Sequence, residues 1–381
     1  MRKRIVWSVL GVVLLAAVGF AGWLFFLPAP PVARSAPPIP EDEAAATLAA
    51  LKPPKRARPL IAIVGANGGT ETTDYVMPYG ILKRADVADV VALATEPGPV
   101  RMFPALRIEP DATVADFDAR HPEGADFVIV PQLARRDDPA ILRWIRAQAA
   151  KGATIIGVCA GSTVVAKTGL LDGKRATTHW YYLEDMLEEH PTIRYVPDRR
   201  LVADRGVTTT TGITASMPAM LTLIAAIAGR DHAERVAEGL GLERWDARHR
   251  SEAFTFTRPF ATTVLGNVVA FWRREQLGLE LTPGVDEVSL ALVADAWSRT
   301  YRSRAVTFSR TAGPQRTRNG LRILPDEVGA RPAEGTLLPA IGDRKPAIAL
   351  DDALRAIESR YGERTADVVA MQLEYPGRAP R

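Results

Sequence analysis

A single cysteine, Cys159, stands in 381 residues, so no disulfide closes within the chain and no CxxC pair serves redox or metal chemistry. Five histidines, His121, His179, His190, His232 and His249, show no HxxxH or HExxH spacing. That excludes the usual zinc ligand sets, and neither a metal nor an organic cofactor is expected. Charge of one sign is barely in excess: a net charge of +4 and a pI near 9.2 imply no partner by themselves. Aromatic residues make up only 7%, while the hydrophobic fraction of 47% and charged fraction of 24% are those of an ordinary globular chain. The length allows two domains with their own cores.

Long uncharged runs are equally few, and the one that stands out follows Arg2, Lys3 and Arg4. Residues 5–27 carry no charge; as a helix they would span roughly 35 Å, enough to cross a bilayer. Trp7 and Trp23 fall near the two ends, where aromatic belts form. This predicts an N-terminal transmembrane helix over residues 1–27, a single-pass anchor in the cell membrane. The basic N-terminus would be cytoplasmic and the globular part extracytoplasmic. A cleaved signal peptide is the alternative, although residues 23–28 offer no small-x-small exit. Residues 28–58 are rich in proline and predict a semi-rigid extended linker.

From Leu60 onward apolar, β-branched runs alternate with helical patterns. Strands are predicted at 60–65, 87–94, 126–130, 153–158, 201–203 and 207–210. Helices are predicted at 74–82, 139–151 and 215–228, with a hairpin-like excursion at 100–108. Such alternation means an α/β fold with a mostly parallel sheet sandwiched by helices. An internal repeat follows: residues 98–111 return as residues 313–326, with eight of fourteen positions identical and no gap. The pattern Ala233, Val236, Ala237, Leu240 likewise returns as Ala366, Val369, Ala370, Leu373. The domains are therefore set at 59–245, a connection at 246–279, and a degenerate partial repeat at 280–381. The repeat carries no cysteine. Seven arginines in its acid-free stretch, from Arg299 to Arg322, read as a solvated face rather than a nucleic-acid site, since few aromatics interleave with them. No nucleic-acid partner is expected.

Cys159 falls where the strand at 153–158 turns sharply into the helical run that begins near Thr163. That tight elbow puts a thiol at the carboxyl end of a strand, beside first-turn amides and a helix dipole that favour thiolate. A small buried, inert cysteine is the other reading. In an open α/β sheet, ligands bind outside the carboxyl ends of the strands. The elbow, the loop after the first strand with Glu71 and Asp74, and the loop with His179 would all converge there. The residues this would gather are Cys159, Ala160 and Gly161 of the elbow with Glu71, Asp74 and His179.

The strings Gly157-Val158-Cys159-Ala160-Gly161-Ser162 and Thr168-Gly169-Leu170-Leu171-Asp172-Gly173-Lys174-Arg175-Ala176-Thr177-Thr178-His179-Trp180 resemble the ThiJ/PfpI family of class I glutamine amidotransferase-like folds. Within it they are similar to the sensor half of AraC-type regulators and to isonitrile hydratases. His190-Pro191, Asp204-Arg205-Gly206 and Thr211-Gly212-Ile213-Thr214-Ala215 extend the resemblance, as does Asp74 with Pro78 four positions on. It implies a flavodoxin-like, amidotransferase-like sheet, Cys159 as nucleophile, Asp74 as the acid contacting it, His179 as a polar neighbour, and backbone donors near Gly161. Cys159, Asp74 and His179 are then the catalytic candidates, and Glu71, Ala160 and Gly161 fall on the substrate or oxyanion side. Protonated, Asp74 would donate a hydrogen bond to the thiolate; ionised, it would disfavour the thiolate and act instead as a base. Three departures are visible. Pro131-Gln132-Leu133 replaces the family's Gly-Gly loop, Pro218 replaces an acidic residue of the hydratase branch, and no helix-turn-helix pair follows.

Three readings stand at this point. One is a cysteine-dependent enzyme acting on a small carbonyl, amide or isonitrile-like molecule. The second is a small-ligand or redox sensor, signalling through a sulfenic acid that no second cysteine can resolve. The third is a structural protein with a vestigial thiol. An incomplete sheet in the repeat would also leave an edge for another copy, so homo-oligomerisation is expected.

Overall fold

The computed structural model describes residues 2–29, 35–329, 332–333 and 335–376. Part of the proline-rich linker (30–34) and the end of the expected repeat (377–381) lie outside the described residues. Helix α1 (Arg2–Phe26) opens the chain, and the central unit starts with β1 (Leu60–Gly65), α2 (Thr72–Ala85), β2 (Asp89–Ala94) and β3 (Ala112–Thr113). It continues through β4 (Phe127–Val130), α3 (Pro139–Ala150), β5 (Thr154–Gly157) and α4 (Gly161–Lys167). It ends with β6 (Leu201–Asp204), β7 (Val207–Thr210), α5 (Ser216–Ala228) and α6 (Arg230–Leu240).

These strands form one seven-stranded sheet in the order β6-β7-β5-β4-β1-β2-β3, parallel except for the β6–β7 pair. Both faces are covered, which is why β1 reads as a continuous apolar run. Ile61 and Ile63 join the core under α2 and α5, while Ala62 and Val64 join the opposite core under α3 and α4. The start of α3 is locally encoded: Asp138 accepts from the Ala140 amide at 2.9 Å, and Pro139 occupies the first turn.

Helix α7 (Arg258–Val269) leads into β8 (Glu275–Glu280), α8 (Glu287–Ser298), β9 (Ser303–Ser309), α9 (Pro346–Tyr361) and α10 (Glu363–Gln372). β8 and β9 are parallel, and α8 lies against α2. Residues of both α8 and α9 share one hydrophobic core with α2 and α5. The short strand Arg322–Ile323 pairs antiparallel with Arg107–Glu109, placing Ile323 opposite Ile108.

The N-terminal expectation is corrected: among the described residues, no helix is long and apolar enough to cross a membrane. The transmembrane anchor, the single-pass topology, the membrane as partner and the extracytoplasmic placement fall with it. The C-terminal end of α1 is held by the rest of the chain. The Trp23 and Phe256 rings lie 6.0 Å apart, the Arg258 guanidinium donates to the Leu24 carbonyl at 3.1 Å, and the Arg258 amide donates to the Pro28 carbonyl at 3.0 Å.

Candidate functional site

β5 ends at Gly157, and the chain turns through Cys159 into α4. Cys159 adopts φ of 55°, a left-handed backbone that a residue with a Cβ enters only at a cost of about 1–3 kcal/mol. Two glycines allow the turn. A Cβ on Gly157 would sit 2.9 Å from the Ser162 Cα, and one on Gly161 would sit 1.9 Å from the Val130 carbonyl oxygen. The elbow is then pinned from neighbouring strands and loops: the Cys159 amide donates to Thr210 Oγ1 at 2.9 Å, and Thr178 Oγ1 donates to the Cys159 carbonyl at 3.2 Å. Cys159 is 1% exposed.

Burial pushes the Cys159 thiol well above its usual range, and the negative charges of Asp74, Glu71 and Glu374 add to this. The Ala160 amide bonds the thiol group and pulls the other way, while the Gly161 amide is spent on the Val158 carbonyl at 2.7 Å. The short α4 therefore does not make the thiolate the resting form. Desolvation and nearby carboxylates outweigh its dipole.

Asp74 sits in the first turn of α2, wholly buried. Glu71 caps that helix: its Oε2 accepts from the Asp74 amide at 2.7 Å and from Thr73 Oγ1 at 2.8 Å. Asp74 Oδ2 accepts from the Gln132 amide at 3.1 Å, and its Oδ1 has no partner. Arg299 enters from the C-terminal part, donating to Glu71 Oε1 at 2.7 Å and to Asp295 Oδ2 at 2.7 Å. One guanidinium thus faces three buried carboxyls. Burial raises all three: Glu71 goes well above its usual value, Asp295 is raised although Arg299 opposes it, and Asp74 reaches about 7 against the pull of the Gln132 amide. Burial thus shifts every carboxyl of the cluster toward its protonated form, with Asp74 poised near neutrality.

This has a consequence for stability. Asp74 is raised from 3.8 to about 7 on folding, so between those values the native state binds more protons than the unfolded chain. The unfolding free energy should fall as pH rises through that window. Asp74→Asn removes the ionisation and should flatten the slope. Urea titrations at several pH values across the window check this.

His179 is placed differently. Its Nε2 lies 2.9 Å from the Gln372 carbonyl and its Nδ1 accepts from the Tyr181 amide at 3.1 Å. These partners assign a neutral ring with the proton on Nε2, and burial keeps its pKa low although Glu374 opposes it. The structure therefore gathers Cys159, Ala160, Asp74 and Glu71 into one enclosed group. His179 adjoins it through Thr178, with both ring nitrogens occupied. Beside it, Thr178, Trp180, Thr211, His249, Phe254 and Glu374 line part of a groove of about 610 Å³. Glu374 Oε1 accepts from the Trp180 amide at 2.8 Å.

Arg299, Asp295, Gln372 and Glu374 escape the sequence reading because they lie far along the chain. By sequence Arg299 reads as one of a run of solvated arginines; the signal against that is the buried-helix pattern of α8, which carries Asp295 one turn before it. Among the described residues no group of three or more His, Cys, Asp or Glu is arranged to hold a metal ion.

A family model described as the DJ-1/PfpI family matches residues 60–226. An isonitrile hydratase of Pseudomonas putida is 35% identical over 168 residues, which cover 43% of this chain and 70% of the relative. The HTH-type transcriptional regulator CdhR of Pseudomonas aeruginosa is 39% identical over 174 residues, covering 44% of this chain and 50% of the regulator. This chain thus spans only half of the regulator's length. Among solved structures, DJ-1beta of Drosophila melanogaster matches at 23% identity with a TM-score of 0.44, covering 49% of this chain and all of that one.

Proposed function

The chain belongs to the DJ-1/PfpI family, and we propose on that footing that Cys159 is a nucleophile toward a small electrophile of the carbonyl, amide or isonitrile class. The observation that carries this reading is a strained elbow cysteine within the field of Asp74, a buried carboxyl that burial raises to about 7. As sulfur bonds to the electrophilic carbon, one bonding pair of the multiple bond moves to the neighbouring heteroatom or carbon terminus. The thiol proton passes to Asp74 and from there to the atom that gained the pair. In a hydratase-type turnover water then replaces sulfur at that carbon and the S–H is restored. The isonitrile hydratase relative supports the substrate class, and Pro218 argues for a site whose substrate contacts differ from that relative's.

The test is product formation by the full chain from a panel of small isonitriles, amides and aldehydes, with Asp74→Asn alongside. The expected result is turnover of at least one class and a loss of about 10²–10⁴-fold in Asp74→Asn, the range for a positioned proton donor. Turnover unchanged in that variant overturns the assignment of Asp74.

A second reading is favoured by the 1% exposure of Cys159 and the occupied ring of His179: a sensor that binds a small ligand without turnover, in keeping with the regulator relative. It predicts saturable binding by calorimetry with no product from any member of the panel.

A further inference from the structure

The C-terminal part repeats the first unit in its contacts as well as its residues. Glu71 caps α2 by accepting from the Asp74 amide, and Asp286 caps α8 by accepting from the Ser289 amide at 2.9 Å. Arg299 reaches across to Glu71, and Arg84 reaches across to Asp286. Arg107 donates to the Pro325 carbonyl, and Arg322 donates to the Pro110 carbonyl at 2.9 Å. Asp111 Oδ2 accepts from the Ala92 amide at 2.9 Å, as Asp326 Oδ2 does from the Thr307 amide at 2.9 Å. Asp86 and Tyr301 are both left-handed, at φ of 52° and 59°. In each case the two members are separated along the chain by the same distance as Ile108 and Ile323, which face one another in the sheet. Reciprocal contacts of this kind define an isologous interface about an internal two-fold axis.

A second, shorter separation relates α6 to α10. Gly229 and Gly362 precede them with φ of 87° and 90°. The Leu242 amide closes on the Ala237 carbonyl at 2.9 Å, and the Tyr375 amide closes on the Ala370 carbonyl at 2.9 Å. The separation shortens because, among the described residues, the second unit forms no strand like β4, β5 or β7 and no elbow or α4; where β4 pairs with β1, it keeps only a parallel bridge between Gly278 and Leu337.

The two units differ where the second one meets the site. Asp295 corresponds to Gly80, Gln372 to Gly239 and Glu374 to Gly241. Gly241 has φ of 82°, and Glu374 keeps the left-handed backbone at φ of 47° despite its side chain. The three newcomers all bear on the site. Asp295 holds Arg299 against Glu71, Gln372 donates from Nε2 to the Arg299 carbonyl at 3.0 Å while its own carbonyl holds His179, and Glu374 holds the Trp180 amide.

We propose that the C-terminal unit is a truncated second copy that has given up its own elbow and acts as a built-in partner subunit, with Asp295, Arg299, Gln372 and Glu374 as positioning residues of the Cys159 site. The backbone strain kept at Glu374 is explained by that role, since the same turn is built from glycine in the first unit. The charges of Arg299 and Glu374 both act on the thiol, with opposite signs.

The inference rests on Cys159 as the reactive group and not on turnover, so the test reads ionisation alone. Because the chain has one cysteine, the ultraviolet thiolate signal of the full chain, differenced against Cys159→Ser, reports this group whatever its accessibility. Glu374→Gly restores the residue of the first copy; it should keep or raise the melting temperature and lower the thiol's apparent pKa. Arg299→Gln should raise that pKa, and Arg299→Lys should return it toward the parent value. Arg84→Gln breaks the mirror-related pair, where no thiol sits, and should leave the titration unmoved. A titration unchanged in both Glu374→Gly and Arg299→Gln overturns the proposal. So does an Arg84→Gln shift as large as that of Arg299→Gln, which would mark both arginines as structural. A normal titration together with absent turnover would instead refute the enzymatic reading and leave this one standing.

Discussion

Cys159→Ser should lower any turnover by about 10³-fold or more while leaving the fold intact. Serine fits the same left-handed position, and the bonds that pin the elbow are made by the backbone of residue 159 with Thr210 and Thr178, so they survive the change. What is lost is the polarisable sulfur. The hydroxyl is a far weaker acid than the thiol, and the carboxyls that already raise the thiol's pKa would raise a hydroxyl's equally. Asp74 near 7 is too weak a base to offset that difference. Steady-state kinetics on whichever substrate class turns over, with melting temperature as the control, measures it. Retained turnover would place the chemistry elsewhere.

The largest effect on stability is expected from Gly161→Ala. The new Cβ would lie 1.9 Å from the Val130 oxygen, 2.8 Å from the Pro131 carbonyl carbon and 2.9 Å from the Pro131 oxygen. All three are backbone atoms of β4 and the loop after it, so no rotamer change relieves the overlap. α4 must lift away from the sheet, and with it go Val164 and Val165, both buried in the core beneath. A loss of about 4 kcal/mol or more is expected, at the upper end for single substitutions. Urea denaturation checks it. The control is Gly173→Ala on the same measurement: Gly173 has open space around it and a φ of 64°, so it should lose only about 1 kcal/mol from backbone strain.

These two residues also show what could be read from the chain. The run before Cys159 has the β-branched, apolar character of a buried parallel strand, and the glycines on either side announce a close approach of strand and helix. The elbow is therefore legible locally. Asp74 could be placed in a helix's first turn for the same reason, from Glu71 and the threonines before it. Nothing local reveals that Arg299 bonds Glu71, or that Gln372 occupies His179. Those contacts join residues whose proximity depends on the packing of α8 on α2 and of α10 on the loop at Thr214. The preference for thiolate also could not be settled from the elbow, because it depends on how many carboxyls are buried nearby. The N-terminal run misled for a different reason. Its composition satisfies a hydropathy rule, whereas contacts such as Trp23 with Phe256 are invisible to that rule.

The central claim is that Cys159 forms a covalent bond with a small electrophile at a site where Asp74 handles the proton. Intact-mass measurement of the full chain after brief exposure to a small isonitrile or aldehyde, with reductive trapping for the aldehyde, tests it most directly. The account predicts one adduct per chain, mapped to Cys159, absent in Cys159→Ser and formed more slowly in Asp74→Asn. No adduct on the parent chain, or an adduct that persists in Cys159→Ser, would contradict it.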